Sequence, residues 1–119
     1  MSIENAIASV AVKDLAAAAR WYEKVFGRPA DSKPMSEVQE WKFGRGGWLQ
    51  VYQLPERAGT GSFTLAVTDV DEEVRRLHAL GIDTPAPVSA GTKAKVMMTT
   101  DPDGNHIAFA QAIDTSMAR

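Results

Sequence analysis

Cysteine is absent from the chain, which excludes disulfide stapling, thiolate nucleophiles and cysteine-bound metal and fits a reducing compartment such as the cytoplasm. No charge of one sign dominates either. Thirteen basic and 15 acidic residues leave a formal charge of −2, with no basic footprint for nucleic acid and no like-charged tail. No apolar run approaches the roughly 20 residues of a membrane-crossing helix, so no membrane partner is expected. The start, Met1-Ser2-Ile3-Glu4-Asn5, is too polar for a secretory leader. Nucleophile elbow, phosphate loop and Cys/His pair are all missing. Gly44-Arg45-Gly46-Gly47 lacks the following helix whose amides would hold a phosphate, and reads as a hairpin turn. There remain 119 residues, 45% of them hydrophobic, a size that folds as a single domain and buries roughly two-thirds of its unfolded surface.

What is present is a repeated pattern. Residues 7–12 alternate branched and small side chains, then Asp14 caps a helix whose apolar positions Leu15, Ala18, Tyr22, Val25 and Phe26 run to a terminal Gly27. Pro29 and Pro34 bracket a predicted loop, and residues 37–43 and 48–53 form a hairpin across the glycines. The breaker-rich stretch Leu54 to Gly61 reads as a loop and as the module boundary. Beyond it the pattern returns: residues 63–67 as a strand, then Asp69 with Glu72 three residues on as an Asp-led capping box. Val70, Val74, Leu77 and Leu80 make the buried stripe of this second helix, and Gly81 ends it. Ile82 to Thr92 reads as loop or short edge strand. Residues 95–100 and 106–111 flank the turn Asp101-Pro102-Asp103-Gly104-Asn105, and Asp114 to Arg119 form a polar tail. Val12-Lys13-Asp14-Leu15 over Val67-Thr68-Asp69-Val70 defines two copies of one βαβββ module, about 1–54 and 61–113.

These duplicated strand-Asp-helix-Gly modules, with the closing Asp101-Pro102-Asp103-Gly104-Asn105-His106-Ile107, resemble the vicinal oxygen chelate superfamily: glyoxalase I, extradiol dioxygenases, and fosfomycin and bleomycin resistance proteins. The resemblance implies an α+β fold in which two βαβββ modules form a curved mixed sheet around a cleft, with the helices on the convex side. It also implies a homodimer, side by side or with modules exchanged. In the metalloenzymes of that group one divalent ion is held by four strand positions, which fall here on Ile7, Gln50, Ser62 and Ala108. Ile and Ala offer no donor atom, and Ser and Gln are weak ones against the imidazole, carboxylate or thiolate that zinc and iron prefer. No metal and no cofactor are therefore expected.

Strand parity turns the four positions into a lining. Ile7, Ser9 and Ala11, then Trp48, Gln50 and Tyr52, then Ser62, Thr64 and Ala66, then His106, Ala108 and Ala110 share the cleft face. The opposite parity, Val10, Val12, Leu49, Val51, Phe63, Leu65, Val67, Ile107 and Phe109, is uniformly apolar and suits the helices. Trp41 and Trp48 flank the glycines and either stack on a planar ligand, with Glu40 balancing a positive charge, or pack between modules or at a dimer contact. Trp21 reads as helix-sheet packing or an oligomer contact, and His78 as a surface residue at a helix C-terminus. His106 is on the cleft side by parity and reads as a rim or turn-supporting residue, or else as a ligand or base. The expected binding residues are Glu40, Trp41, Trp48, Gln50, Tyr52, Ser62, Thr64, His106 and Ala108. The resemblance then implies a metal-free small-molecule binding protein of the bleomycin-resistance type, taking an aromatic or cationic ligand. A metal-dependent lyase, isomerase or dioxygenase of the glyoxalase type is the alternative.

Overall fold

The computed structural model describes residues 2–91 and 93–112; the polar tail lies outside them. Two compact units are formed. Of the described residues, the first takes 2–61 together with Asp101–Asn105, and the second takes 62–100 and 106–112.

In the first unit β1 (Ile7–Val12) leads into α1 (Leu15–Phe26), followed by β2 (Ser32–Met35), β3 (Val38–Lys42) and β4 (Trp48–Gln53). The sheet order is β1-β4-β3-β2, with β1 parallel to β4 and the remaining pairs antiparallel. The second unit repeats this with β5 (Ser62–Val67), α2 (Val70–Ala79), β6 (Val88–Ala90), β7 (Ala94–Thr100) and β8 (His106–Ala112) in the order β5-β8-β7-β6. The fold is α+β, two βαβββ modules, each an open four-stranded mixed sheet.

Both helices start as the repeat requires. Asp14 accepts from the amides of Ala16 and Ala17, and Asp69 from that of Glu72. A second acceptor, not recognised from the sequence, repeats as well. Gln53, the last residue of β4, takes the Leu15 amide at 2.9 Å, and Gln111, near the end of β8, takes the Val70 amide at 2.9 Å. Each helix N-terminus is thereby fixed to the strand that lies beside the first strand of its own module, closing βαβββ on itself. Gly27 ends α1 at φ 73°, the left-handed conformation for which a side chain carries a steric cost.

The alternation of each strand divides its sheet into a covered and an open face. Val10, Val12, Leu49 and Val51 are all at most 1% exposed, and Ile107 and Phe109 at most 2%. Three local expectations need correcting. Residues 32–35 form a strand, not a loop, because β2 sits at the sheet edge, where the missing amide of Pro34 costs no ladder bond. The linker carries a short 3-10 turn, Pro55–Arg57. Leu80 is 37% exposed, since α2 ends at Ala79 and its final turn leaves the packed stripe.

Among the described residues, the two buried polar side chains of the first unit, Asp101 and Asn105, lie in the turn Asp101–Asn105. Asp101, 3% exposed, accepts on one carboxylate oxygen from the amides of Asp103 and Asn105, and on the other from the Tyr22 hydroxyl at 2.7 Å and the Asn105 side-chain amide at 2.9 Å. Asn105, fully buried, also donates to the Ala11 carbonyl and accepts from the Gly61 amide. Gly59, at φ 84°, passes so close that a Cβ there would meet the Asp103 carbonyl oxygen at 2.3 Å. Burial and the Asp101 carboxylate drive the Tyr22 phenol well above its usual range.

Tyr22→Phe strands one buried carboxylate lone pair and is expected to cost about 1–3 kcal/mol in urea unfolding. Because the Tyr22 pKa is raised, its contribution is complete below the ordinary phenol value of about 10 and is lost as pH rises beyond it. Wild-type stability therefore falls above that pH more steeply than that of Tyr22→Phe. Gln53→Ala and Gln111→Ala are each expected to cost about 0.5–2 kcal/mol, by analogy with lost caps. Hydrogen exchange reads this directly: the Leu15 amide speeds up in the first variant and the Val70 amide in the second.

Candidate functional site

The open face of the first sheet is built by register. Ile7, Ser9 and Ala11 of β1 stand beside Trp48, Gln50 and Tyr52 of β4, which stand opposite Lys42, Glu40 and Val38 of β3. Across the middle runs a hydrogen-bonded row. The Ser9 hydroxyl donates to the Gln50 carbonyl oxygen at 3.1 Å, and the Gln50 amide donates to one Glu40 carboxylate oxygen at 2.5 Å. A flipped Gln50 would set its carbonyl oxygen against the acceptor-only Glu40 carboxylate, so the amide keeps this orientation and holds Glu40 in place. On one side of this row the Lys42 ammonium lies over the Trp48 indole, 5.6 Å from the ring centroid. On the other side stands Tyr52. Trp48, Gln50 and Tyr52 are half-buried, so aromatic surface and a fixed carboxylate are presented together.

Trp41 departs from the expectation. The connection after Lys42 sets that residue opposite Trp48, so Trp41 falls opposite Leu49, on the covered face. Its ring is fully buried between Tyr22 and Phe26, at centroid distances of 6.1 and 5.6 Å, and its indole N–H donates to the Arg28 carbonyl. The two tryptophans flank the same turn on opposite faces, and Trp41 is core. Trp21 meets Tyr22 edge to face at 4.9 Å on α1. Beside this cluster Asp31 accepts from Arg28 and from the Lys42 amide, and these contacts, the Arg28 bond foremost, hold its carboxyl below the usual range.

The open face of the second sheet carries Ser62, Thr64 and Ala66 of β5, aligned with His106, Ala108 and Ala110 of β8, which face Thr100, Met98 and Val96 of β7. It is polar at the Ser62, His106 and Thr100 end and apolar toward Ala66, Ala110 and Val96. Ser62, Thr64 and His106 are exposed and Ala108 is half-buried. His78 lies elsewhere, at the end of α2, where its Nε2 meets the Thr84 hydroxyl at 2.9 Å and accepts from the Thr84 amide.

Among the described residues the large exposed apolar side chains include Ile7 and Met35 in the first sheet and Val88 and Met98 in the second. Ile7 and Met98 share open faces with the expected binding residues. Lys42 and Met98 were missed from the sequence, although hairpin parity places both: Lys42 pairs with Trp48, and Met98 with Ala108. The positions at which the metalloenzymes hold their ion do not suit one. Ile7 and Ala108 carry no donor, Gln50 offers only a neutral amide oxygen, and Ser62 only a hydroxyl. No group of three or more His, Cys, Asp or Glu that could hold a metal occurs among the described residues.

Comparison with known folds agrees with this architecture. A crystal structure of a glyoxalase/bleomycin resistance protein from Catenulispora acidiphila is 30% identical, covers 90% of this chain and 96% of its own, and superposes with a TM-score of 0.80. TnmS3, an antibiotic-binding protein from Streptomyces sp. CB03234, is 25% identical over 94% of this chain and 98% of its own, with a TM-score of 0.81. A bleomycin-binding protein in complex with bleomycin shares the fold at 19% identity, covering 92% of this chain and 98% of its own, with a TM-score of 0.77. Comparison with curated proteins gives no match. The model of the glyoxalase-like domain matches residues 7–110, nearly the whole chain, and the protein belongs to that family, within the vicinal oxygen chelate superfamily.

Proposed function

We propose that the protein is a small-molecule binding protein of the bleomycin-resistance type, which sequesters an aromatic or cationic compound without a metal. One observation carries this reading: the half-buried Trp48 and Tyr52 flank a carboxylate, Glu40, that Gln50 and Ser9 fix in place on the open face of the first sheet. Aromatic walls with a few oriented polar groups are the usual composition of a small-molecule site. A flat indole supplies contact area with little rotamer entropy to lose, and a carboxylate beside it selects for positive charge. The similarity to TnmS3 supports a small-molecule ligand. On the second sheet, Ser62, Thr64 and His106 give the open face a polar end, beside the small Ala108 and the exposed Met98.

The metal-dependent alternative requires donors that Ile7 and Ala108 cannot supply. A homodimer is part of the proposal, and sedimentation equilibrium at micromolar protein is expected to give twice the chain mass.

The site is tested by calorimetric titration with bleomycin and a panel of aromatic cations. Any compound bound by the wild type is expected to lose at least about tenfold in affinity in Trp48→Ala, in line with the cost of truncating an aromatic anchor, and to keep its affinity in Trp21→Phe. Unchanged affinity in Trp48→Ala places the site elsewhere. Trp41→Ala is unsuitable, because emptying a fully buried indole costs about 3–5 kcal/mol of stability.

A further inference from the structure

We infer that Lys42 is an internal occupant of the binding face, and that the ligand is a planar aromatic cation whose charge replaces the Lys42 ammonium over Trp48. The inference rests on the proposed site and specifies its ligand class and the cost of entry. Three observations meet here. The Lys42 ammonium sits 5.6 Å from the Trp48 ring centroid, so the indole face already holds a cation. Glu40 lies two residues along the same strand and on the same face, one carboxylate oxygen engaged by Gln50. Lys42 is exposed, while Trp48 and Glu40 are half-buried, so the mobile partner is the lysine and the fixed partners are the site.

The physical consequence is a competition. An exposed ammonium over an indole is held weakly, and its four-carbon stem lets it swing into water without disturbing the backbone. A rigid aromatic cation brings its own charge to the same place and adds ring contact that lysine lacks. A neutral aromatic displaces Lys42 without replacing its charge, so it gains less. The internal lysine therefore screens ligands by charge as well as by shape. Its register opposite Trp48 follows from the turn at residues 43–47, closed by the Phe43 amide donating to the Gly47 carbonyl.

The test uses the full-length protein, N-methylquinolinium as probe, and NMR of the Trp48 indole N–H and the Lys42 ε-methylene. In the free wild type the ε-methylene is expected upfield from the ring current, and Trp48→Leu abolishes that shift. Saturating probe moves the Trp48 resonance and returns the Lys42 methylene toward its solvent position. Lys42→Gln binds the probe roughly two- to five-fold more tightly, the worth of one exposed cation–π contact, whereas Lys42→Arg, which keeps the cation, stays near wild type. If the probe moves Trp48 but the Lys42 methylene shows no ring-current shift and Lys42→Gln binds no tighter, the internal occupant is refuted and the binding face stands. If the probe moves no Trp48 resonance in either wild type or Lys42→Gln, the binding face falls, and the inference with it.

Discussion

The buried carboxylate of Asp101 organises the first unit. A charge there is tolerated only because four donors reach it: the amides of Asp103 and Asn105, the Asn105 side chain and the Tyr22 hydroxyl. Asn105 extends the same network to the Ala11 carbonyl on β1 and to the Gly61 amide in the linker. Two side chains, Asp101 and Asn105, thus tie helix, first strand, linker and closing turn together, with every buried side-chain polar atom among the described residues satisfied. Networks of this kind confer uniqueness as much as stability, because any shift of one member leaves another unpaired. With β1 fixed at Ala11, its pairing with β4 fixes the register of Ser9 on Gln50, and through β3 that of Glu40 and Lys42.

Much of this was legible in the sequence because each rule involved is local or has a fixed period. Helix starts at Asp14 and Asp69, the stop at Gly27 and the turn at Gly104 follow from backbone preferences of single residues. The two faces of β1, β4, β5 and β8 follow from the period of two, and every residue assigned to the covered face is buried or half-buried. The open face is less uniform, since Ala11, assigned to it, is 4% exposed. The internal repeat added a check, since the second module reproduces the first.

What escaped the sequence reading depends on contacts between distant positions. Gln53 and Gln111 look like surface residues at strand ends until the helix amide each one caps is brought beside it. Tyr22 reads as one more apolar helix position, and nothing local announces that its hydroxyl meets a residue 79 positions away. Trp41 shows a different failure. It flanks the glycines as Trp48 does, whereas the hairpin register puts the two on opposite faces. Applying parity to β3 as strictly as to β4 would have assigned Trp41 to the core and drawn Lys42 into the site.

The open faces present the aromatic surfaces of Trp48 and Tyr52, the Glu40 carboxylate held by Gln50, and the exposed apolar side chains of Ile7 and Met98. The proposed function has the protein act through side-chain contact alone, without a bound metal. Its most direct test is elemental analysis of untagged protein purified without chelator. A ratio of transition metal to chain near zero is expected; a ratio near one that survives dialysis would overturn the metal-free reading and make the glyoxalase-type metalloenzyme the better description.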